Sequence, residues 1–334
     1  MRSASISSGS DMSSGEVDLA KTVAILLSTY NGEAYLSEQL ASIEAQSYSH
    51  WHLLWRDDGS TDRTHALMGE FAERIGEARC REVTSHIGRL GVQGSFMLLL
   101  RAAQGYAFVA FADQDDVWLP EKLATAMRYM GGTTEKRPTL YCGRQLLVDR
   151  ILRPLRLSPS FRSSLPFPAS LAQNIATGCT MLLNQSATRI IAQTQPPEGS
   201  LHDWWSYIVV TAVGGQVFFD KAPYILYRQH GGNVVGGVSF GLRLRRALHK
   251  QPTPILYAID AHAKAVNDSV PNLPPKARAD LAALRRGLRG SFWMRLKFVL
   301  SRRLRRQRWP ESALLGFWVL AGRINEPRRY YRSP

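Results

Sequence analysis

Two rhythms of apolar and polar positions alternate along the first part of the chain. Residues 23–28, 52–55 and 106–112 are short, largely apolar runs, each closed by a polar or glycine-containing turn, which predicts strands, and the more polar 81–84 reads as a further strand. Between them Leu36, Leu40 and Ile43 recur at helical spacing as far as Gln46. A second helix is expected over 61–74, with Leu67, Phe71 and Ile75 on one face, and a third over 96–104. Strands alternating with helices predict an α/β domain with a mostly parallel central sheet flanked by helices. In such sheets ligands collect outside the carboxyl ends of the strands. Three polar clusters sit at that edge: Ser28-Thr29-Tyr30-Asn31-Gly32, Arg56-Asp57-Asp58-Gly59-Ser60 and Asp113-Gln114-Asp115-Asp116.

Farther along, residues 175–183 form an apolar segment around Gly178, and helices are expected over 186–193 and 201–213, the second opening with His202-Asp203-Trp204-Trp205. Residues 217–219 and 224–227 read as a pair of strands leading into Arg228-Gln229-His230-Gly231-Gly232-Asn233. After Phe240 the composition turns basic and helical, and no internal repeat is present.

Charge divides the chain in two. Of the 334 residues, those from 243 onward hold 21 Lys and Arg against five Asp and Glu, a net of +16, whereas the first 242 carry 21 basic and 22 acidic groups. A near-neutral body with a basic tail points to an anionic surface, lipid or nucleic acid, as the tail's partner. Cys80, Cys142 and Cys179 are far apart with no CxxC pair, so they read as buried or free thiols of a reducing compartment, not as a disulfide framework or zinc site. Residues 1–21, rich in Ser and Gly and lacking an apolar centre, are expected to be a disordered leader, not a signal peptide. The best apolar stretch, 313–322, is half the length of a membrane span.

The acidic cluster at 113–116 carries the most chemistry. Crowded carboxylates after a buried strand repel one another unless a positive charge lies among them. A hard divalent cation with oxygen ligands would supply it, and such a cation commonly also holds a phosphate. The alternative is an acidic turn capping a helix that starts near Pro120. There is no GxxxxGK[ST] motif, and Gly88, Gly91 and Gly94 have the wrong spacing for a dinucleotide fingerprint, which argues against a kinase or dehydrogenase.

Taken in order, 28–32, Asp57-Asp58-Gly59-Ser60-Thr61-Asp62, Asp113-Gln114-Asp115-Asp116 and His202-Asp203-Trp204 resemble family 2 glycosyltransferases of the GT-A fold, over about residues 22–240. The DQDDVW, HDWW and YRQHGGN forms are most similar to a bacterial rhamnosyltransferase-like branch that builds surface polysaccharides. The resemblance implies an inverting, metal-dependent transfer of a sugar, rhamnose among the candidates, from a UDP- or dTDP-linked donor to a hydroxyl of a glycan or lipid-linked acceptor. It places Thr29, Tyr30 and Asp58 at the base, with Asp58 accepting from the imide N–H. It puts Asp113 at the ribose and metal, and Asp115 with His230 at a Mn²⁺ or Mg²⁺ ion. Asp203 becomes the general base that takes the acceptor's proton. Many relatives have Glu-Asp where this chain has His202-Asp203, which leaves the role of position 202 open. Asp57 is expected to serve only the turn, and Asp116 to cap the following helix. His230 could instead meet the diphosphate, Arg228 could be the phosphate cation, and Trp204 and Trp205 belong either to a sugar platform or to the core.

In the tail, Leu281, Leu284, Leu288, Phe292, Leu296, Val299 or Leu300, and Leu304 recur every three or four positions among arginines, a basic amphipathic helix with a break at Gly287 or Gly290. Residues 241–334 are therefore expected as a basic helical extension lying on the anionic inner leaflet, with the protein cytoplasmic and peripheral. The alternative is that the apolar face packs on the body. Two other functions compete: an arginine-rich nucleic-acid-binding protein, against which the neutral body speaks, so that no nucleic acid is expected, and a catalytically inactive scaffold in a polysaccharide synthase complex.

Overall fold

The computed structural model describes residues 19, 21–86, 88–132, 136–161, 164–230 and 253–322. The leader expected over 1–21 lies outside the described residues, apart from positions 19 and 21, as do residues 231–252, with Gly231-Gly232-Asn233 and the first part of the basic tail, and residues 323–334.

The chain opens with β1 (Val23–Thr29), α1 (Leu36–Glu44), β2 (Trp51–Asp57), α2 (Thr64–Ile75), β3 (Cys80–Glu82), α3 (Gly91–Ala102) and β4 (Phe108–Ala112). It continues through β5 (Val117–Trp118), α4 (Lys122–Met130), β6 (Thr139–Val148), β7 (Pro154–Leu157), β8 (Leu182–Asn184), α5 (Gln185–Ala192), α6 (His202–Ala212) and β9 (Gln216–Arg228). Among the described residues four helices follow: α7 (Thr253–Ser269), α8 (Pro275–Arg289), α9 (Phe292–Leu300) and α10 (Trp309–Ala321).

The strands form one sheet in the order β3-β2-β1-β4-β8-β6-β9-β5, with β7 paired to β6. It is parallel through β3, β2, β1 and β4. Beyond β4 it is mixed, because β8 runs antiparallel to both β4 and β6 while β6 and β9 run parallel. The parallel character expected from the sequence thus belongs to the half that carries the first three polar clusters. β1 alternates its side chains between two apolar layers: Val23, Ile25 and Leu27 face α1, α2 and α4, and Ala24 and Leu26 face α3, α5 and α6. Covered on both faces, β1 reads as a continuous apolar run, as buried parallel strands do.

Three expectations change. Residues 217–219 and 224–227 are not two strands but parts of β9, which passes Pro223 at an irregularity in its pairing with β6. β6 and β7 were not expected, since Gly143, Arg144 and Gln145 interrupt the apolar pattern of β6. The tail breaks at Gly290, one of the two glycines expected, but Leu281, Leu284 and Leu288 are buried in the same apolar layer as α3 and α6. That face of α8 therefore packs on the body and is not available to lipid. Within the tail, ion pairs of Arg289 with Asp260 (2.5 Å) and Arg303 with Asp280 (2.8 Å) join its segments to one another. His262 of α7, neutral through burial that lowers it to about 4, lies tilted 4.8 Å from the ring of Trp204 and bonds the Ser200 hydroxyl at 2.8 Å.

Candidate functional site

A cleft of about 540 Å³ opens at the carboxyl ends of β1, β2 and β4 and runs beneath α6. Its walls include Thr29, Tyr30, Asp58, Asp113, Asp115 and Asp203. His230 is outside that wall, but its Nε2 lies 2.7 Å from Asp115 Oδ2.

On the base side the loop geometry is set by hydrogen bonds. Thr29 Oγ1 donates to Asp57 Oδ1 (3.0 Å), and Asp57 also accepts from the N–H groups of Gly59 and Ser60 and from the Ser60 hydroxyl. Asp57 serves the turn, as expected. Asp58 is buried at the amino end of α3, where the Leu90 and Gly91 N–H groups each donate to one of its carboxylate oxygens at 2.7 Å. Its position is thereby fixed; Oδ1 also takes a long contact of 3.5 Å from the buried Arg56 guanidinium, while Oδ2 keeps a second lone pair. Tyr30 is bound at both backbone groups by the Gln114 amide: Tyr30 N–H donates to Oε1 (2.9 Å) and Nε2 donates to the Tyr30 carbonyl (3.0 Å). Gly32 makes room for this clamp, since a Cβ there would stand 2.4 Å from Gln114 Oε1. The Arg89 guanidinium lies 4.0 Å over the Tyr30 ring.

In the acidic cluster burial, together with the nearby charges of Asp115 and Asp203, pushes the Asp113 carboxyl up to about 7. Such crowding is relieved by a cation. Asp113 and Asp115 offer carboxylate oxygens and His230 an imidazole, a donor set suited to Mn²⁺ or Mg²⁺. Asp113, Asp116 and Cys179 also approach one another within 4.8 Å. Burial keeps the Cys179 thiol protonated, so this second group is a poor home for a hard cation. Asp116 does not cap α4, whose first turn has no side-chain cap. It is fully buried instead, and its Oδ1 accepts from the Arg228 N–H at 3.2 Å. Burial, reinforced by Asp113 and Asp115, raises its pKa well above the ordinary value.

Arg228 is no phosphate cation. It is 1% exposed, donates from Nε to the Asp115 carbonyl (2.9 Å) and from its terminal nitrogens to the Arg150 carbonyl and the Glu38 carboxylate, and lies over the Tyr35 ring. Positive charge in the cleft wall comes from Arg89 and Arg156, neither of which stood out in the sequence. Arg156 lies on β7, which the sequence pattern did not reveal.

Asp203 stands in the first turn of α6. Its Oδ2 accepts from the Gly178 N–H at 3.1 Å and its Oδ1 from the Trp204 N–H at 2.5 Å. Burial outweighs these bonds and pushes its carboxyl up to about 6, a range suited to a general base. His202 is buried between Phe96, stacked at 3.9 Å, and Phe111, edge-on at 4.8 Å. Neither ring nitrogen has a hydrogen-bond partner among the described residues, and burial lowers its pKa to about 3, so the imidazole is neutral. Trp204 borders the cleft, whereas Trp205 is wholly buried and bonds Thr194. The two tryptophans thus divide between site and core.

Gly178 makes this arrangement possible. A Cβ at that position would meet His202 Nε2 at 2.6 Å and Asp203 Cβ at 3.4 Å. Gly178→Ala is therefore expected to cost about 1–3 kcal/mol of stability and to displace the Asp203 carboxylate. A thermal melt measured beside turnover checks it: an unchanged melt with full activity would show that the α6 start yields freely.

Residues 24–146 match the family model described as Glycosyl transferase family 2. The chain is 26% identical over 239 residues to the dTDP-rhamnosyl transferase RfbG of Shigella flexneri, covering 66% of this chain and 77% of that one. Over 108 residues it is 33% identical to the UDP-Glc:alpha-D-GlcNAc-diphosphoundecaprenol beta-1,3-glucosyltransferase WfgD of Escherichia coli, covering 32% of this chain and 40% of that one. In fold it is similar to S. aureus TarS 1-349 crystallised in complex with UDP-GlcNAc, with a TM-score of 0.57 at 14% identity over 90% of this chain and 87% of that one.

Proposed function

The chain belongs to glycosyltransferase family 2 through residues 24–146, and from that premise we propose that it is an inverting enzyme transferring a sugar from a UDP- or dTDP-linked donor to a hydroxyl of a glycan or lipid-linked acceptor. The observation that carries this reading is the buried Asp203 carboxylate, oriented by two backbone N–H groups, in the same cleft as Asp58, Asp113 and Asp115. Similarity to a dTDP-rhamnosyl transferase over two thirds of the chain favours rhamnose as the sugar.

In this reading Thr29, Tyr30 and Asp58 hold the base, Asp58 accepting the imide N–H, and Asp113 meets the ribose. Asp203 accepts the proton of the acceptor hydroxyl as that oxygen forms its bond to the anomeric carbon. The bond from that carbon to the phosphate oxygen breaks on the opposite face, and the nucleoside diphosphate leaves with the electron pair. No acid is needed, because the leaving group is a stable anion, unlike the two-carboxylate plan of glycosidases. Asp115 and His230, with Asp113 beside them, would hold Mn²⁺ or Mg²⁺, and that ion when bound offsets charge on the departing diphosphate. Arg89 and Arg156 add positive charge along the same wall.

The experiment is a thermal-shift panel of UDP-, dTDP- and GDP-sugars with and without Mn²⁺. A stabilisation by dTDP-rhamnose that needs Mn²⁺ supports the assignment, and no stabilisation by any sugar nucleotide would overturn it. His230→Ala is expected to raise the Mn²⁺ concentration needed for half-maximal stabilisation by roughly 10–100-fold, the scale on which metal-site residues act. An unchanged requirement would remove His230 from the metal site. Among the described residues no helix is long and apolar enough to cross a membrane. A cytoplasmic enzyme held at the inner face of the membrane fits an acceptor carried on lipid.

A further inference from the structure

Leu281, Leu284 and Leu288 of the tail's apolar pattern are buried, yet the tail still presents a large apolar surface. Phe292, Trp293, Met294, Leu300, Trp309 and Phe317 are all exposed, Trp293 at 73%, Trp309 at 76% and Leu300 at 70%. They fall on two helix faces. On α9, Trp293, Lys297 and Leu300 lie on one side, opposite the buried Phe298. On α10, Trp309, Ala313, Phe317 and Ala321 follow at steps of four, an exposed apolar stripe, while Leu315, Trp318 and Val319 face the core. The two helices pack together, Val299 on Gly316, so the stripes are neighbours. In the segment joining them Arg302, Arg303 and Arg308 are exposed as well, Arg303 also pairing with Asp280.

We infer that this face of α9 and α10 is the membrane-docking surface, seated in an anionic lipid interface with Trp293, Trp309 and Phe317 as its anchors. The inference rests on the transferase reading and deepens it by naming the surface through which a lipid-carried acceptor is met. Chemistry selects the occupant. Tryptophans and phenylalanine rimmed by Lys and Arg suit the headgroup boundary, where rings sit at the interface and cationic heads reach phosphates. A second copy of this chain is disfavoured, because each would bring a tail of net +16 to the contact. A nucleic acid would match the charge but leave the Ala313–Phe317–Ala321 stripe without an apolar partner.

The surface is also coupled to the cleft. In the turn between α9 and α10 the Gln307 N–H donates to Gln173 Oε1 at 2.8 Å, and Gln173 is followed by Asn174 and Ile175 of the cleft wall. Arg295 holds the far end of α10 through the carbonyls of Leu320 and Gly322. Docking α9 and α10 on a bilayer therefore fixes the height of the cleft wall above it.

The test uses the full chain and two vesicle types, phosphatidylcholine alone and phosphatidylcholine with phosphatidylglycerol, in co-sedimentation at low and high salt. Wild type should pellet with the anionic vesicles, less so at high salt. The variant Trp293→Ala/Trp309→Ala/Phe317→Ala should lose roughly tenfold or more in partitioning with an unchanged melting temperature, since all three side chains are exposed. Absence of wild-type binding, or equal binding by the triple variant, overturns the inference. So does a concentration-dependent dimer abolished by the triple substitution without vesicle binding, or duplex DNA or RNA retained in a gel shift without it. Mn²⁺-dependent hydrolysis of dTDP-rhamnose, assayed without vesicles, reads the transferase assignment separately. Activity there with no lipid binding would sink only the surface, and inactivity with lipid binding only the donor assignment.

Discussion

Asp203→Asn is expected to lower sugar transfer by roughly 10²–10⁴-fold, the usual contribution of a positioned general base, while leaving donor binding almost intact. The fold should tolerate it. A carboxyl whose folded pKa is raised to about 6 by burial contributes most to stability below the ordinary carboxylate range, near pH 4, and that contribution is lost as pH rises through about 6. At neutral pH the native state therefore carries the cost of a buried charge, which the neutral amide removes. Against this gain, an amide has one carbonyl oxygen where the carboxylate used two, so either the Gly178 or the Trp204 N–H loses its acceptor. The two effects are each of order 1 kcal/mol and opposed, so the melting temperature should move by only a few degrees. The wild-type pH profile gives an independent check. The base must be ionised, so kcat/KM should climb with unit slope up to about pH 6 and then level off. That acid limb should be absent from whatever activity the Asn variant retains. Full turnover in the variant would remove Asp203 from the chemistry.

Arg228→Met carries the largest expected loss of stability, roughly 2–4 kcal/mol. The side chain is 1% exposed and its fork is shared among two carbonyls, of Asp115 and Arg150, and the Glu38 carboxylate. A methionine fills much of the volume but leaves the carbonyls without donors. The loss is kept below that of a fully buried ion pair because Glu38 is 54% exposed and regains water. Arg228→Lys keeps the charge but not the planar fork, and should fall between the two. Because Arg228 also grips the backbone of Asp115, the Met variant should need more Mn²⁺ than wild type. Chemical denaturation and Mn²⁺ titration of one preparation measure both effects. A variant as stable as wild type would show that these bonds are redundant.

The parts of the fold built from local pattern were legible in the chain. β1 and β4 are near-continuous apolar runs because helices cover both faces, β2 keeps an apolar Leu53-Leu54-Trp55 centre, and α1, α2 and α3 lie between the strands as the helical spacing required. The same logic placed Thr29, Tyr30, Asp58, Asp113 and Asp115 at one edge, since residues that follow parallel strands share a rim. What escaped depends on long-range partners. β6 is buried, yet its Gly143-Arg144-Gln145 reads as a turn until β9 is beside it. With β6 and β7 went Gln145 and Arg156 of the cleft wall. Asp116 looked like a cap because sequence cannot show that the backbone of Arg228, 112 positions away, comes to meet it. In the tail, helical spacing gave the correct apolar seam of α8 but not what covers it, and the body claims those leucines. The position of His202 was visible. Its burial between two phenylalanine rings, with both nitrogens unpartnered, was not.

The amide clamp from Gln114 to the backbone of Tyr30 joins the loop after β1 to the acidic loop after β4. Neither partner carries charge, so the joint should hold across the whole working range of pH and ionic strength. A nucleoside seeking its seat would then meet two segments already set at a common angle during folding. Less rotational freedom remains to be surrendered at the moment of capture, so the favourable contacts count more fully toward affinity.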